Sequence, residues 1–201
     1  MNGTTLGAIA VGAVVLGLSL VGARHPTIHP TEQRVFRAVN GLSNGLYWPL
    51  WLPMQLGNLV VGTAAGLVLA VVWGDGLLAV GVVAAAALKL LAERVIRRWM
   101  APYLAVRQRP GTSEPGAHLR GDDVPASGMS FPSGHIVLVA AVTAVIADDL
   151  AVAWLGVPAL LTLAVMVGRV YVGAHNPLDV TAGLGAGLLA GGLVGLALDL
   201  V

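Results

Sequence analysis

No cysteine occurs in the chain's 201 residues, and only 10% of them are charged. The first absence excludes disulfides, thiolate nucleophiles and cysteine-based metal sites, and it leaves the redox compartment unreadable. The second puts the chain far below the roughly 25% charge of soluble domains. With a net charge of +1, no bulk electrostatic attraction to nucleic acid is expected. No carboxylate cluster with metal-ligand spacing is visible, so neither a metal nor a cofactor is expected. Residues 1–5 carry no positive charge, so the first apolar stretch does not read as a secretory signal.

What remains is apolar. Hydrophobic residues make up 57% of the chain, glycine contributes 27 positions, and mean hydropathy is +0.84. Apolar runs near the length needed to cross a bilayer predict helices over residues 6–23, 46–73, 76–97, 134–147, 150–172 and 178–200. The expected fold is therefore all-α: one integral-membrane bundle of six transmembrane helices, a single domain over residues 1–201. Gly74-Asp75-Gly76 and Asp148-Asp149 read as tight turns, making antiparallel hairpins of helices two/three and four/five. Pro49 and Pro53 fall in the first turns of the second helix, where proline is tolerated. Residues 31–42 read as a short interfacial helix with Val35, Phe36 and Val39 in lipid and Glu32, Arg34 and Arg37 in water. Trp48, Trp51 and Trp99 fall near one membrane surface, and Trp73 and Trp154 near the other. Gly183, Gly187, Gly191 and Gly195 recur every fourth residue on the last helix. Such a face packs on a neighbouring helix of the same bundle or, alternatively, on a second protomer as a homodimer.

Three polar clusters interrupt this background: Lys89 with a later Arg107-Gln108-Arg109-Pro110, then Phe131-Pro132-Ser133-Gly134-His135, then Arg169 followed by His175 and Asp179. Ionisable groups inside a membrane protein are costly unless they face one another or water. Six crossings put all three clusters on one side, opposite both termini. The fourth helix is short: His135 lies 13 residues before Asp148, roughly 20 Å of helix against a hydrocarbon core about 30 Å thick. That sets His135 below the headgroup plane, within sideways reach of a lipid phosphate.

The residue types suit phosphoryl transfer, which needs stabilised phosphoryl oxygens, a nucleophile and a proton donor for the leaving oxygen. Histidine fills the last two roles near neutral pH. His175 and Asp179 share a helix face at four-residue spacing, so Asp179 is placed to accept a hydrogen bond from one ring nitrogen and activate the other. The plain alternative is an interfacial histidine with a capping aspartate. At Ser133-Gly134-His135 a helix opens with free backbone N–H groups and a hydroxyl, which is an anion site. Gly134 allows the backbone to approach a phosphate closely.

Pro-Ser-Gly-His followed by Arg-x5-His-x3-Asp resembles the signature of the type 2 phosphatidic acid phosphatase (PAP2) superfamily, over roughly residues 89 to 181. The resemblance implies a metal-independent lipid phosphatase. In it His175 becomes a phosphohistidine, Asp179 orients it, His135 is the general acid, and Arg169 binds phosphate with Ser133 and Gly134. The first family pattern, Lys-x6-Arg-Pro, is altered: Lys89 and Arg109 stand 20 positions apart, 13 more than the pattern allows. One reading is a split motif, in which the chain folds back to deliver Arg109, with Arg107 beside it. The other gives the cation's role to Arg94 or Arg97, with Lys89, Glu93 and Arg97 as an i,i+4 ion-pair ladder.

The implied partners are a lipid phosphate and the bilayer, with the small size resembling bacterial polyprenyl phosphate or diphosphate phosphatases. Phosphatidic acid or phosphatidylglycerol phosphate are alternative substrates. A non-hydrolytic lipid-phosphate binder or carrier on the same fold is the alternative activity. All 11 lysines and arginines lie on the side of the clusters, which the positive-inside rule makes cytoplasmic. The resemblance implies a periplasmic or exterior site.

Overall fold

The computed structural model describes residues 3–25, 27–99 and 107–199; the side chains of Arg97 and Trp99 are outside the description. The described residues are helical and turn structure with one isolated β-bridge. The helices are α1 (Gly3–Gly22), α2 (Pro30–Asn40), α3 (Tyr47–Met54), α4 (Leu59–Trp73), α5 (Gly76–Trp99), α6 (Pro110–Ser113), α7 (Gly134–Ala147), α8 (Gly156–Tyr171) and α9 (Pro177–Leu198). Four described helices are long and apolar enough to cross a membrane, or five if the bent pair Asn44–Gly57 and Leu59–Trp73 is one span. The sixth expected span, α7, has only 14 residues. Large apolar side chains on α1, α4 and α8, such as Leu18, Val71 and Leu160, point outward, as lipid-facing surfaces require.

The single helix expected over residues 46–73 is instead broken, with a 76° bend. Asn58 causes it locally. Its backbone is extended, and its side-chain oxygen accepts the Val60 and Val61 N–H groups at 3.0 and 3.3 Å, starting α4 afresh. Pro53 thus lies inside the short α3, not in the first turn of a long helix. The bend brings Gly57 against His135: a β-carbon built on Gly57 would lie 2.7 Å from that of His135. The interfacial reading of α2 also needs correction. Phe36 points into the protein, packed with Ile136, Val139, Val165 and Val170, while Val35 stays exposed.

α9 is the axis of the bundle, with α7 on one side and α1 on the other. Its glycine ladder packs on α7 within the same chain: β-carbons on Gly187 and Gly191 would lie 2.5 and 2.3 Å from the carbonyl oxygens of Val137 and Ala141. The opposite side closes on α1 through Gly185 and Gly12. That occupied face leaves the suggested glycine-mediated homodimer without its surface. Gly191→Leu is expected to destabilise the folded protein by about 1–3 kcal/mol or more, because the backbones must separate. Gly17→Leu, with nothing within 4 Å of its β-carbon, is the control. Thermal unfolding in detergent measures both, and equal melting temperatures would contradict the packing.

At the end remote from the polar clusters, Thr4 and Thr5 donate to the Asp148 carboxylate, joining α1 to α7. At the other end Arg120 ties the loop before α7 to the bundle. Its guanidinium donates to the carbonyls of Asn40 (2.8 Å), Tyr171 (2.8 Å) and Leu42 (3.1 Å) and lies 4.3 Å from the Tyr171 ring centre.

Candidate active site

Residues 107–133, ahead of α7, pair back on themselves. Gln108 and Met129 form an antiparallel bridge, Arg109 N–H donates to the Gly128 carbonyl (3.1 Å), and Ser130 N–H donates to the Arg107 carbonyl (2.9 Å). Pro110 then starts the one-turn α6. This pairing fixes where Arg107 and Arg109 point, and they point to different places. Arg109 Nη1 donates to the Ala174 carbonyl at 2.8 Å, beside His175. Arg107 is buried and donates through Nε to Asp179 Oδ1 at 3.0 Å and through Nη2 to Glu32. The expectation of Arg107 as a phosphate ligand therefore gives way to a counter-ion behind Asp179.

Lys89, Arg109 and Arg169 all act electrostatically on His135, and Arg169, Arg109 and His135 act on His175. The three polar clusters thus meet in space. Arg94 is exposed on α5 and is not among the charges acting on either histidine. The Arg97 side chain lies outside the described residues. At the start of α7, Ser133 N–H donates to the Asp179 carbonyl at 3.0 Å, locking α7 to α9. The Ser133 hydroxyl and the Arg169 Nε–H are buried without a protein partner. Buried polar groups are nearly always paired, so both donors are open to a further acceptor. Arg169 comes from the last turn of α8; the chain then turns at Gly173, with φ of +78°, to present His175.

His175 is buried and lies between the two spanning helices α8 and α9. Burial first, then the positive charges of Arg169 and Arg109, hold its imidazole well below the ordinary histidine range. It is therefore neutral near pH 7, the form in which a ring nitrogen keeps its lone pair. Asp179, at the third position of α9, accepts the Asn176 N–H at 2.9 Å as well as Arg107. The expected direct hydrogen bond from His175 to Asp179 is not formed, since Nδ1 and Oδ2 are 3.9 Å apart.

A family model, the PAP2 superfamily, matches residues 75–198. The chain belongs to the PAP2 superfamily. Its fold is similar to the crystal structure of Aquifex aeolicus LpxE, with a TM-score of 0.69 and 19% identity over 82% of this chain and 93% of that one. It is also similar to the first transmembrane PAP2-type phosphatidylglycerolphosphate phosphatase from Bacillus subtilis. There the TM-score is 0.65 and the identity 22%, over 94% of this chain and 96% of that one. No curated protein matches the chain by sequence. It is thus a PAP2-superfamily membrane protein built on an all-helical, multi-pass frame.

Four residues of this PAP2 site were not singled out from sequence as part of it. Glu93 pairs with Lys89 at 3.1 Å, the i,i+4 contact that its spacing allows, and also presses on Gly134. A β-carbon on Gly134 would lie 1.7 Å from the Glu93 carboxylate and 3.3 Å from Lys89 Cε, so a larger residue here would push the Lys89–Glu93 pair aside. Asp123 acts on Arg169 and, with Gln55, Asn58 and Tyr47, lines a polar cleft of about 40 Å³ beside His135. Glu32 accepts from Leu178 N–H at 2.9 Å and from Arg107. Burial pushes its carboxyl above the usual range, with the Arg107 charge opposing. Ser130 lies between His175 and Asp179. The spacing of Glu93 from Lys89 was a usable signal; the other three depend on contacts remote in sequence.

Proposed function

We propose that this protein hydrolyses a lipid phosphate through a phosphohistidine on His175, without a metal, and that its substrate is a polyprenyl phosphate or diphosphate. The observation that carries the reading is the pair of unpartnered buried donors, Ser133 Oγ and Arg169 Nε, beside two histidines and further cations. In this reading the phosphoryl oxygens lie against Arg169, Arg109, Lys89 and the N-terminus of α7. The His175 Nε2 lone pair forms the N–P bond as the P–O bond to the lipid breaks. The phosphate's charge offsets the surrounding cations and lets His135 carry the proton that the leaving oxygen takes, giving the alcohol from a monophosphate or the lipid monophosphate from a diphosphate. Water then attacks phosphorus, His135 accepts its proton, the P–N bond breaks, and inorganic phosphate leaves.

An apolar groove supports this reading. A groove of about 390 Å³ starts at Leu56, next to Gly57 under His135, and runs between α4, α7 and α8 to Trp73 and Trp154. Its lining includes Val139, Val142 and Leu161, an apolar channel that suits an unbranched run of prenyl units. A second reading, phosphatidylglycerol phosphate, is favoured by the fold shared with the Bacillus subtilis enzyme along nearly its whole length.

Phosphate release by the detergent-solubilised protein in EDTA separates these readings. The panel holds polyprenyl phosphate, polyprenyl diphosphate, phosphatidic acid and phosphatidylglycerol phosphate. The expected outcome is undiminished turnover in EDTA, fastest on a polyprenyl substrate. Preference for phosphatidylglycerol phosphate replaces the substrate, dependence on added metal overturns the mechanism, and binding without release leaves a carrier.

A further inference from the structure

The gap between His175 and Asp179 is filled by one hydroxyl. Ser130 Oγ donates to Asp179 Oδ2 at 2.5 Å and stands 3.3 Å from His175 Nδ1. A hydroxyl has one proton. Since that proton goes to the carboxylate, Ser130 Oγ meets Nδ1 as an acceptor, the Ser130 main-chain carbonyl being a second acceptor for the ring, and Nδ1 carries a hydrogen. The Nδ1–H tautomer leaves the lone pair on Nε2.

We propose that Ser130 is a positioning residue for the reaction: it fixes the His175 tautomer and relays the Asp179 carboxylate to the ring. The inference rests on the reading of His175 as nucleophile. Asp179 cannot easily turn to His175 itself, because Arg107 holds one oxygen at 3.0 Å and the Asn176 N–H holds the other at 2.9 Å. Ser130 is equally constrained. Its N–H is bound to Arg107 and its neighbour Met129 is in the β-bridge, so the hydroxyl is carried on paired backbone. When Nε2 bonds to phosphorus the ring becomes a cation. The Nδ1–H to Oγ and Oγ–H to Oδ2 bonds then both shorten, and no proton crosses Ser130. Ser130 does not attack phosphorus, being wholly buried with its hydroxyl committed to the carboxylate.

The test compares Ser130→Ala, Ser130→Thr, Asp179→Asn and the Ser130→Ala/Asp179→Asn double variant, with melting temperature in detergent recorded for each. His175→Ala is run alongside. Ser130→Ala should lower kcat about 10- to 100-fold, the effect of removing one hydrogen bond to a charged group, with KM within about twofold. Ser130→Thr, which keeps the hydroxyl, should recover most of that loss. The double variant should be scarcely slower than Asp179→Asn alone, because both changes cut one relay. Wild-type kcat in Ser130→Ala, a KM effect alone, fully multiplicative losses in the double variant, or a folded Ser130→Thr as slow as alanine would each overturn the relay. If Ser130→Ala does not fold, Ser130→Thr is read against the parent: kcat within about threefold of the parent supports the relay, and a loss of about tenfold or more in the folded variant overturns it. An active His175→Ala would instead remove the nucleophile reading on which the relay rests.

Discussion

His175→Ala should release no measurable phosphate from any lipid while folding and binding as the parent does. The imidazole is neutral at working pH because it is buried and faces Arg169 and Arg109. It is therefore a competent nucleophile without prior deprotonation. Removing it leaves the anion site of Ser133, Gly134 and Arg169 intact but takes away the group that would bond to phosphorus. Losses of about 10⁴-fold or more follow when a nucleophile is deleted from a working constellation. Rapid acid-free quenching should trap an alkali-stable, acid-labile phosphoenzyme in the parent and none in the variant. Turnover within tenfold of the parent would eliminate the histidine mechanism.

The second large effect concerns Arg109. Arg109→Ala should lower kcat/KM by about 10²- to 10³-fold, the range seen when a preorganised charge-stabilising donor is lost. Arg94→Ala and Arg97→Ala should remain near the parent. The structure places Arg109 on the Ala174 carbonyl, within the field of both histidines, whereas Arg94 faces outward. Arg109→Lys separates charge from geometry: it keeps the cation but cannot hold Ala174 and a phosphate oxygen together as a guanidinium fork can. Partial recovery in the lysine variant is expected. Normal turnover in Arg109→Ala would return the first motif's role to α5.

Most of the helices were legible. α7 begins and ends where the Ser-Gly-His cluster and Asp148-Asp149 predicted. The starts of α5 and α9 follow Gly76 and the Asn176-Pro177 pair. These are local signals: a long apolar run in a lipid must satisfy its own backbone, and turn residues punctuate it. The break at Asn58 was less legible because Gln55, Asn58 and Thr63 are isolated polar residues in an otherwise apolar stretch from Leu46 to Trp73. The Asn58 cap starts α4 afresh, and the bend sets Gly57 against His135. Phe36 shows the same limit. An amphipathic helix says which residues are apolar, not whether lipid or Ile136 and Val165 cover them.

By itself the sequence determined the membrane class, the helical fold and the residue types for a phosphate site. Each of these depends on composition, periodicity or spacing along a short stretch. Tertiary structure decided which partner each charge takes. Arg107 and Arg109 are two residues apart, yet one lies behind Asp179 and the other beside His175. Lys89 has Glu93 as its neighbour, and Ser130 rather than direct contact joins His175 to Asp179. The physical reason is that residues two apart on an extended segment share a face, so the local pattern does not separate Arg107 from Arg109. Each guanidinium takes the partner within its reach, Asp179 and Glu32 for one and the Ala174 carbonyl for the other, and those partners are in place only when the whole bundle closes.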